Sequence, residues 1–309
     1  MEDQMKQIDV FYPGWVRKAI TFSIDDGNIA MDTKFLSIVK PAGLRGTFNL
    51  CTPLTRLPSA ADYRAFYQGY EISNHCHFHP HALSTQYPML PVSDDPFDPE
   101  TANPAFFYRT AEPGVYRHHT HTGWRYIADN ENYLRCVEKC QQQLEEVFGK
   151  GTVHGFVWPF GEQNNPEVFS RLKECGFASI RKTGDGGFDL PTDRNAWSYN
   201  ATHDDLTEKS IAYEDLPDDG RMKWLCIGVH SIDYENAGKW QVLQAFCDRF
   251  GNRPESFWYA SVGEIFDYED ATRQLQRDGN TLRNPSDTDL FLCVEGVRKT
   301  LRAHSELSL

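Results

Sequence analysis

Residues 19–50 read AITFSIDDGNIAMDTKFLSIVKPAGLRGTFNL, and the order of apolar and polar residues in this stretch decides the fold class. Ala19 to Ile24 is a short apolar run that predicts a buried strand, and Gly46 to Leu50 predicts a second one. Between them, Met31 to Lys40 predicts a helix that ends before Pro41. A strand, a helix and a second strand in this order are typical of an α/β fold with a parallel sheet.

The same alternation continues along the chain and predicts about seven strand–helix units within a single domain of residues 1–309. An insertion at about 84–128 is rich in proline and aromatic residues and is too long for an ordinary connection, which suggests a lid or an oligomer arm. A short C-terminal extension at about 281–309 predicts a strand pair added after the last helix. The other predicted strands are 70–74, 153–158, 178–181, 224–229 and 257–260, and the other predicted helices are 60–68, 130–148, 167–175, 240–250 and 262–277.

Composition and charge exclude several classes of function. The formal net charge is -13 and the chain has no long basic run, which argues against a nucleic-acid partner and favours an uncharged small molecule or oligosaccharide. No signal peptide and no membrane-length apolar run is visible, so we expect a cytoplasmic protein without a membrane partner. Eight cysteines are scattered through apolar stretches, where they are expected to be structural free thiols. A homo-oligomer stays possible.

The first candidate for chemistry is Asp25-Asp26-Gly27, at the end of the first predicted strand. Two adjacent carboxylates repel one another unless something compensates their charge, and a metal ion can do so. One carboxylate then binds the ion while its neighbour stays free as a base. Gly27 permits the sharp turn that brings both side chains to one pocket. The alternative is a helix N-cap with a spare aspartate.

The second candidate is Asn74-His75-Cys76-His77-Phe78-His79-Pro80-His81, which holds four histidines in seven residues. Histidine is a common zinc ligand, and the three-residue gap between His75 and His79 permits chelation from one side. Pro80 keeps His79 out of helical geometry, so we expect a loop beyond a strand end. His77 and His81 are expected either to support the ligands from behind or to be solvated.

Two further strand ends carry weaker signals. Phe156-Val157-Trp158-Pro159-Phe160-Gly161 ends in a Pro-aromatic-Gly turn that can present a backbone N–H to a developing oxyanion, or can simply pack aromatic rings. His230 follows the buried run Trp224 to Val229 and would face the mouth of a barrel, where active sites lie. An ordinary buried histidine is the alternative.

Together these four motifs resemble the NodB-homology polysaccharide deacetylases, carbohydrate esterase family four, over about residues 15 to 270. The T-F-D-D-G motif of the family resembles Thr21 to Gly27, in which Ser23 and Ile24 precede the aspartate pair. The N-H-x-x-x-H-P motif is matched in full by Asn74-His75 and His79-Pro80. The aromatic turn and the late histidine follow in the order of the family.

The resemblance implies a distorted (β/α) barrel of about seven parallel strands. It also implies a zinc-dependent hydrolase of amide C–N bonds that deacetylates an N-acetylated sugar. Asp25 would be the general base, His230 the general acid and the backbone N–H of Phe160 an oxyanion donor. Zn²⁺ or another divalent transition metal would be held by Asp26, His75 and His79.

The sequence departs from the family at two places. Many members carry an arginine in the third motif that pairs with the base, but Val157 stands there, and Arg181 at the end of the next predicted strand is the substitute candidate. A plain surface ion pair is the alternative for Arg181. The Asp-Trp motif that tunes the acid histidine is not recognisable, and the candidate replacements are Asp185, Asp204 and Asp205.

Two other functions stay open at this stage. The same fold and metal would serve a hydrolase of a small non-sugar amide. A catalytically inactive carbohydrate-binding barrel is the other possibility, although binding alone requires neither Asp25 nor His230.

Overall fold

A parallel sheet forms the centre of the computed structural model, which describes residues 7–82, 91–119, 125–127, 129–161 and 166–309. Seven of its strands follow one another in the spatial order β6-β5-β4-β3-β2-β1-β7, and β8 pairs with β1. Neighbouring strands in this sheet run parallel to each other. The strands are β1 (Lys18–Asp26), β2 (Gly46–Thr52), β3 (Glu71–His77), β4 (Gly155–Val157), β5 (Ser179–Lys182), β6 (Trp197–Ser198), β7 (Lys223–His230) and β8 (Trp258–Tyr259).

The two ends of this strand order are connected. A β-bridge joins Ala201, in the segment that follows β6, to Ile227 on β7. The Asn200 amide group strengthens this junction, since its Nδ2 donates to the Trp224 carbonyl at 2.8 Å and its Oδ1 accepts from the Cys226 N–H at 3.0 Å. The prediction of a distorted (β/α) barrel of about seven parallel strands is confirmed.

Helices alternate with the strands, and four of the described helices begin at a side chain that accepts a hydrogen bond from their first turn. Asn28 accepts a hydrogen bond from the Met31 N–H at the start of α1, and Ser261 with Glu264 forms a capping box at the start of α8. The described residues contain α1 (Ile29–Val39), α2 (Ala60–Phe66), α3 (Asn130–Phe148), α4 (Pro166–Glu174), α5 (Leu206–Glu214), α6 (Ser231–Asn236), α7 (Trp240–Phe250) and α8 (Val262–Gln274).

The described part of the insertion forms a sheet of its own. Its first strand, His81–Ala82, follows directly after the histidine cluster and pairs in parallel with Tyr126–Ile127. The remaining strands extend this sheet in the order Val115–Arg117, Phe107–Arg109 and Val92–Ser93. The role of the insertion as a lid or an oligomer arm stays a prediction.

The C-terminal residues contain more strands than the predicted pair. Two three-stranded sheets form here, and one of them recruits the early strand Ile8–Phe11, which pairs antiparallel with Leu290–Val294. A strand that starts the chain cannot be assigned to this sheet from local periodicity, because its partner lies far away in the sequence. The other strands are Gln276–Asp278, Thr281–Asn284, Val297–Leu301 and Ser305–Ser308.

The eight cysteines are all free thiols in the structure. In the part of the chain that the structure describes, no helix has both the length and the apolar character needed to cross a membrane.

Candidate metal centre

The carboxyl ends of the barrel strands bring the predicted side chains to one place. Asp25 on β1 is in register with His230 on β7, so the ends of two neighbouring strands lie side by side. A cavity of about 460 Å³ opens at this end of the barrel. Its lining includes six of the predicted site residues: Asp25, Asp26, His75, His79, Phe160 and His230.

Asp26, His75 and His79 converge on a common centre. The Nε2 atoms of both histidines lie 3.5 Å from Oδ1 of Asp26. One ligand atom from each of the three side chains lies within 4.8 Å of the other two. This arrangement has the donor set and the spacing of a three-ligand metal site, which leaves coordination positions open.

The hydrogen bonding of His75 prepares it to be a ligand. Its Nδ1 atom lies 2.9 Å from the carbonyl oxygen of Val157, and a carbonyl only accepts, so Nδ1 carries the proton. In the neutral ring with this proton, Nε2 carries the lone pair and faces the Asp26 carboxylate. Although His75 is buried, its Nε2 has no hydrogen-bond partner among the described residues. Two facing acceptors and an unsatisfied buried nitrogen fit a bound cation.

The backbone around this centre is held in an unusual conformation. Cys76, Phe78 and His79 have φ angles of 68°, 66° and 48°, and Asp26 has 78°. Left-handed backbone at a non-glycine residue costs on the order of 1–3 kcal/mol and often occurs at functional sites. Gly27, which was expected to permit the sharp turn, has a φ angle of 71°, and Asp26 before it also takes the left-handed conformation.

The position of His75 also differs from the sequence prediction. β3 continues to His77 instead of ending at Asn74, so His75 lies on the strand and only His79 lies in the loop beyond it. The pairing with β2 shifts register between Leu50 and Thr52, which accommodates the irregular end of the strand.

The electrostatics keep the candidate ligands in metal-binding protonation states. Burial raises the pKa of Asp26, but the neighbouring His75, His79 and His230 outweigh burial and lower that pKa. Burial and the proximity of His75 lower the pKa of His79 to about 3. At neutral pH the carboxylate is ionised and the His79 imidazole is neutral, which are the forms that bind metal.

Asp25 is held by a different set of contacts. The Arg181 Nη2 atom donates to Oδ1 at 2.6 Å and to Oδ2 at 2.5 Å, and Asn49 Nδ2 donates to Oδ1 at 2.7 Å. Burial raises the pKa of Asp25, but the Arg181 guanidinium outweighs burial and lowers it. Because Arg181 is only 2% exposed, the surface ion pair considered for it is excluded.

The placement of Arg181 has a simple structural reason. Arg181 on β5 is the register partner of Val157 on the neighbouring strand β4. The two residues therefore stand at the same level of the barrel. Arg181, one strand away from the position of Val157, still reaches the Asp25 carboxylate.

His230 is oriented by a residue that the sequence analysis missed. Its Nδ1 atom lies 2.9 Å from Oδ2 of Asp233, while its Nε2 atom lies 3.9 Å from Oδ2 of Asp26. Burial lowers the pKa of His230, but the Asp233 hydrogen bond, with Asp25 and Asp26, raises it to about 9. Burial likewise raises the pKa of Asp233, and the contact with His230 outweighs it and lowers that pKa.

The three replacements proposed for the Asp-Trp motif are therefore wrong. Asp185 pairs with Lys209, Asp204 with Lys239, and Asp205 accepts from the Thr202 N–H. The signal for Asp233 was its position three residues after His230 in the first turn of α6, where it forms a capping box.

Phe160 lies in the predicted turn, within the short 3₁₀ segment Pro159–Gly161. Its φ angle is 54°, and its ring centroid lies 4.4 Å from that of His79. His77 and His81 are both buried, so the solvated alternative for them is wrong. His77 contacts Thr52, whereas His81 stacks on Phe160.

Comparison with known proteins adds two findings. A family model described as polysaccharide deacetylase matches residues 16–180, more than half of the chain. The sequence has no significant match among curated proteins.

Two solved structures with a similar fold both have low sequence identity to this chain. A protein from Mycobacterium smegmatis described as a polysaccharide deacetylase has 15% identity and a TM-score of 0.51, and the match covers 87% of this chain and 97% of that one. The PuuE allantoinase has 14% identity and a TM-score of 0.55, with coverage of 82% and 91%. Likenesses at this level of identity show a shared fold.

Proposed function

Because this chain belongs to the polysaccharide deacetylase family, we propose that it is a metal-dependent hydrolase of amide C–N bonds that deacetylates an N-acetylated sugar. The convergence of Asp26, His75 and His79 beside an arginine-paired aspartate carries this proposal. A sugar-binding protein without activity would need neither the ion-paired Asp25 nor the oriented His230.

The residues in the metal role are Asp26, His75 and His79, and the proposed ion is Zn²⁺ or another divalent transition metal. Such an ion, when bound, polarises a carbonyl group and makes a water molecule more acidic. The neutral His79 and the Nδ1-protonated His75 supply nitrogen lone pairs to it, and Asp26 supplies a negative charge.

Asp25 is the proposed general base. It is ionised at neutral pH because Arg181 and Asn49 stabilise its negative charge. It lines the same cavity as the three candidate ligands, so it can accept a proton from an attacking water molecule there. The two partners also fix the carboxylate in one orientation.

His230 is the proposed general acid. A pKa of about 9 keeps its imidazole protonated at neutral pH. The Asp233 contact holds Nδ1, which leaves the Nε2 proton directed towards the centre of the site. An amide nitrogen is a poor leaving group, so it needs this proton when the C–N bond breaks.

The backbone N–H of Phe160 is the proposed oxyanion donor. A preorganised N–H that faces the developing negative charge stabilises a transition state without reorganisation. The backbone at Phe160 is left-handed, and the contact between its ring and the ring of His79 puts this turn beside the proposed metal ligands.

The cavities beside the site favour a sugar unit within an oligosaccharide over an isolated small amide. A second cavity of about 580 Å³ shares Asp25, Asp26 and His230 with the first one, and is lined on its other side by residues such as Leu54 and Arg56. Both volumes are in the usual range for small-molecule sites. A ligand held at the centre can therefore extend in two directions, as an oligosaccharide would.

A small non-sugar amide is the second candidate. The fold-level likeness to an allantoinase favours it, since that name describes a protein of the same fold that acts on a different amide. A cytoplasmic location and the possibility of a homo-oligomer belong to the proposal as well.

The test is a substrate panel with the metal-loaded chain and the Asp25→Asn variant. N-acetylated oligosaccharides are assayed for released acetate, and small linear and cyclic amides for released amine. We expect turnover of oligosaccharides by the wild type and its loss in the variant. Turnover of small amides alone would select the second candidate. Equal inertness of both proteins across the panel, with metal bound, would select the inactive binding barrel.

A further inference from the structure

A column of stacked rings runs from the insertion to the candidate metal ligands. The His81 ring lies face to face with the Phe160 ring, with centroids 3.5 Å apart and planes 7° apart. The His81 ring also stacks on the ring of Tyr126, with centroids 5.0 Å apart and planes 13° apart. Phe160 in turn contacts His79 edge to face at 4.4 Å. The order of the column is therefore Tyr126, His81, Phe160 and His79.

The insertion fixes the outer end of this column. His81 and Tyr126 are register partners in the two-residue parallel ladder that starts the inserted sheet, and the His81 N–H donates to the Arg125 carbonyl at 2.8 Å. The Tyr126 ring also packs against the ring of Phe107, on the strand Phe107–Arg109 of that sheet, with centroids 5.4 Å apart. Both His81 and Tyr126 are buried, so the outer half of the column is enclosed by protein, whereas Phe160 and His79 line the cavity.

The inner end of the column is a turn that needs support. Phe160 has a φ angle of 54° and the next residue, Gly161, has 65°. A non-glycine residue in this conformation persists only when surrounding structure holds it there. The rings of His81 and His79 contact the ring of Phe160. These contacts can hold the side chain, and with it the backbone, of Phe160 in place.

We propose that His81 is a positioning residue for the proposed reaction, because its ring holds the Phe160 turn in place and connects the inserted sheet to the oxyanion site. This inference rests on the proposed function in one respect, since it takes the Phe160 N–H as the oxyanion donor. It gives the insertion a role in catalysis that does not require the insertion to contact substrate.

The geometry predicts a specific kinetic effect. An oxyanion donor acts on the transition state and contributes little to ground-state binding, so a displaced Phe160 lowers kcat and leaves KM nearly unchanged. Removal of one such donor typically costs 10²–10³ in kcat, and a displaced donor should cost about 10–100-fold. Metal affinity should be unaffected, because His79 keeps its own backbone position.

Two substitutions separate stacking from hydrogen bonding. His81→Gln removes the ring but keeps polar atoms, whereas His81→Phe keeps the ring and removes them. We expect His81→Gln to lose about 10–100-fold in kcat, with KM and zinc content within about twofold of wild type. His81→Phe should stay within about threefold of wild type. The matched control is His77→Gln, another buried histidine of the cluster, which contacts Thr52 and Phe78 instead.

A second readout does not depend on turnover. The Gly161 N–H donates to the Trp158 carbonyl at 3.2 Å and closes the turn. Its hydrogen exchange, measured by NMR on the zinc-loaded proteins, should be about tenfold faster in His81→Gln and unchanged in His81→Phe and His77→Gln.

Three outcomes would overturn the inference. One is a His81→Gln variant with wild-type kcat and wild-type Gly161 exchange. Another is a His81→Phe variant as impaired as His81→Gln, which would assign the role to hydrogen bonding. The third is a loss of zinc in His81→Gln, which would assign the role to the metal loop. If the wild type itself turns over nothing, the proposed function fails, and the exchange rates alone decide whether His81 holds the turn.

Discussion

The guanidinium of Arg181 on β5 reaches the carboxylate of Asp25 on β1, although three strands separate β5 from β1 in the sheet. Its Nη2 atom lies within 2.6 Å of both carboxylate oxygens, and the two side chains are 2% and 11% exposed. Removing either partner of a buried ion pair leaves an uncompensated buried charge and destabilises the folded protein. Arg181 therefore determines both the charge and the orientation of the proposed base.

The first prediction concerns the pH dependence of activity. In Arg181→Met, the pKa of Asp25 rises because burial then acts without an opposing cation. Activity requires the ionised carboxylate, so the acid limb of the kcat/KM profile moves to higher pH, and kcat/KM at neutral pH falls about 10²-fold. Steady-state kinetics over a pH series measure the shift.

The same substitution should also lower stability by about 3–5 kcal/mol, because it leaves a buried carboxylate unpaired. Urea denaturation at neutral pH measures this loss. The control is Arg64→Met, at an exposed arginine that donates to the Val147 carbonyl on the outside of the barrel. If Arg181→Met and Arg64→Met have the same pH profile, the assigned role of Arg181 is wrong.

The second prediction separates the base from the metal ligands. Asp25→Asn should retain a full complement of zinc, because Asp25 is not one of the three converging side chains. Its kcat should fall by about 10²–10⁴, the usual contribution of a general base. Metal analysis and kinetics on the same sample measure both quantities. Loss of zinc together with activity would place Asp25 among the ligands.

The third prediction concerns the proposed acid. The Asp233 contact is the largest influence that raises the pKa of His230 to about 9, so Asp233→Asn should lower that pKa. The reaction requires protonated His230, and the alkaline limb of the pH profile should therefore move to lower pH. The comparison variant is Asp204→Asn, whose carboxylate pairs with Lys239. An unchanged alkaline limb in Asp233→Asn would remove His230 from the role of acid.

The fourth prediction concerns the oxyanion turn. A Cβ atom added at Gly161 would lie 2.2 Å from Oγ1 of Thr183, at a φ angle of 65°. Gly161→Ala should therefore displace the Phe160 turn and lower kcat about 10²-fold, with KM nearly unchanged.

Gly69→Ala provides the matched control for this substitution. Gly69 also has a positive φ angle, 89°, but an added Cβ would meet no described atom within 4 Å. It should cost about 1 kcal/mol of stability from backbone strain alone and leave kcat unchanged. Equal kinetics in the two variants would show that the turn does not matter to the reaction.

The sequence predicted those site residues that stand next to a recognisable apolar run. Asp25, Asp26, His75 and His230 follow apolar runs, and polar residues at the ends of parallel strands meet at one edge of a barrel. The strand–helix alternation was equally local and predicted an α/β fold with a parallel sheet, whereas the barrel itself was implied by the resemblance to the polysaccharide deacetylases.

The parts that were missed depend on structure beyond a short window. β6 has two residues, Trp197–Ser198, too few to show any periodicity, and it closes the barrel through the segment after it. Asp233 lies in a helix of six residues that begins directly after β7, and the apolar pattern of such a short helix is weak. The stack from Tyr126 to Phe160 joins residues that are far apart in sequence, and only the folded chain brings them together.

The most direct test of the account is the position of a bound ion. A crystal of the zinc-loaded protein, measured on both sides of the zinc absorption edge, should give one anomalous peak at roughly 2.0–2.2 Å from Oδ1 of Asp26 and from Nε2 of His75 and His79. Stoichiometric zinc in solution should be lost in His75→Ala. A peak elsewhere, or a His75→Ala variant that binds zinc as tightly as wild type, would contradict the account.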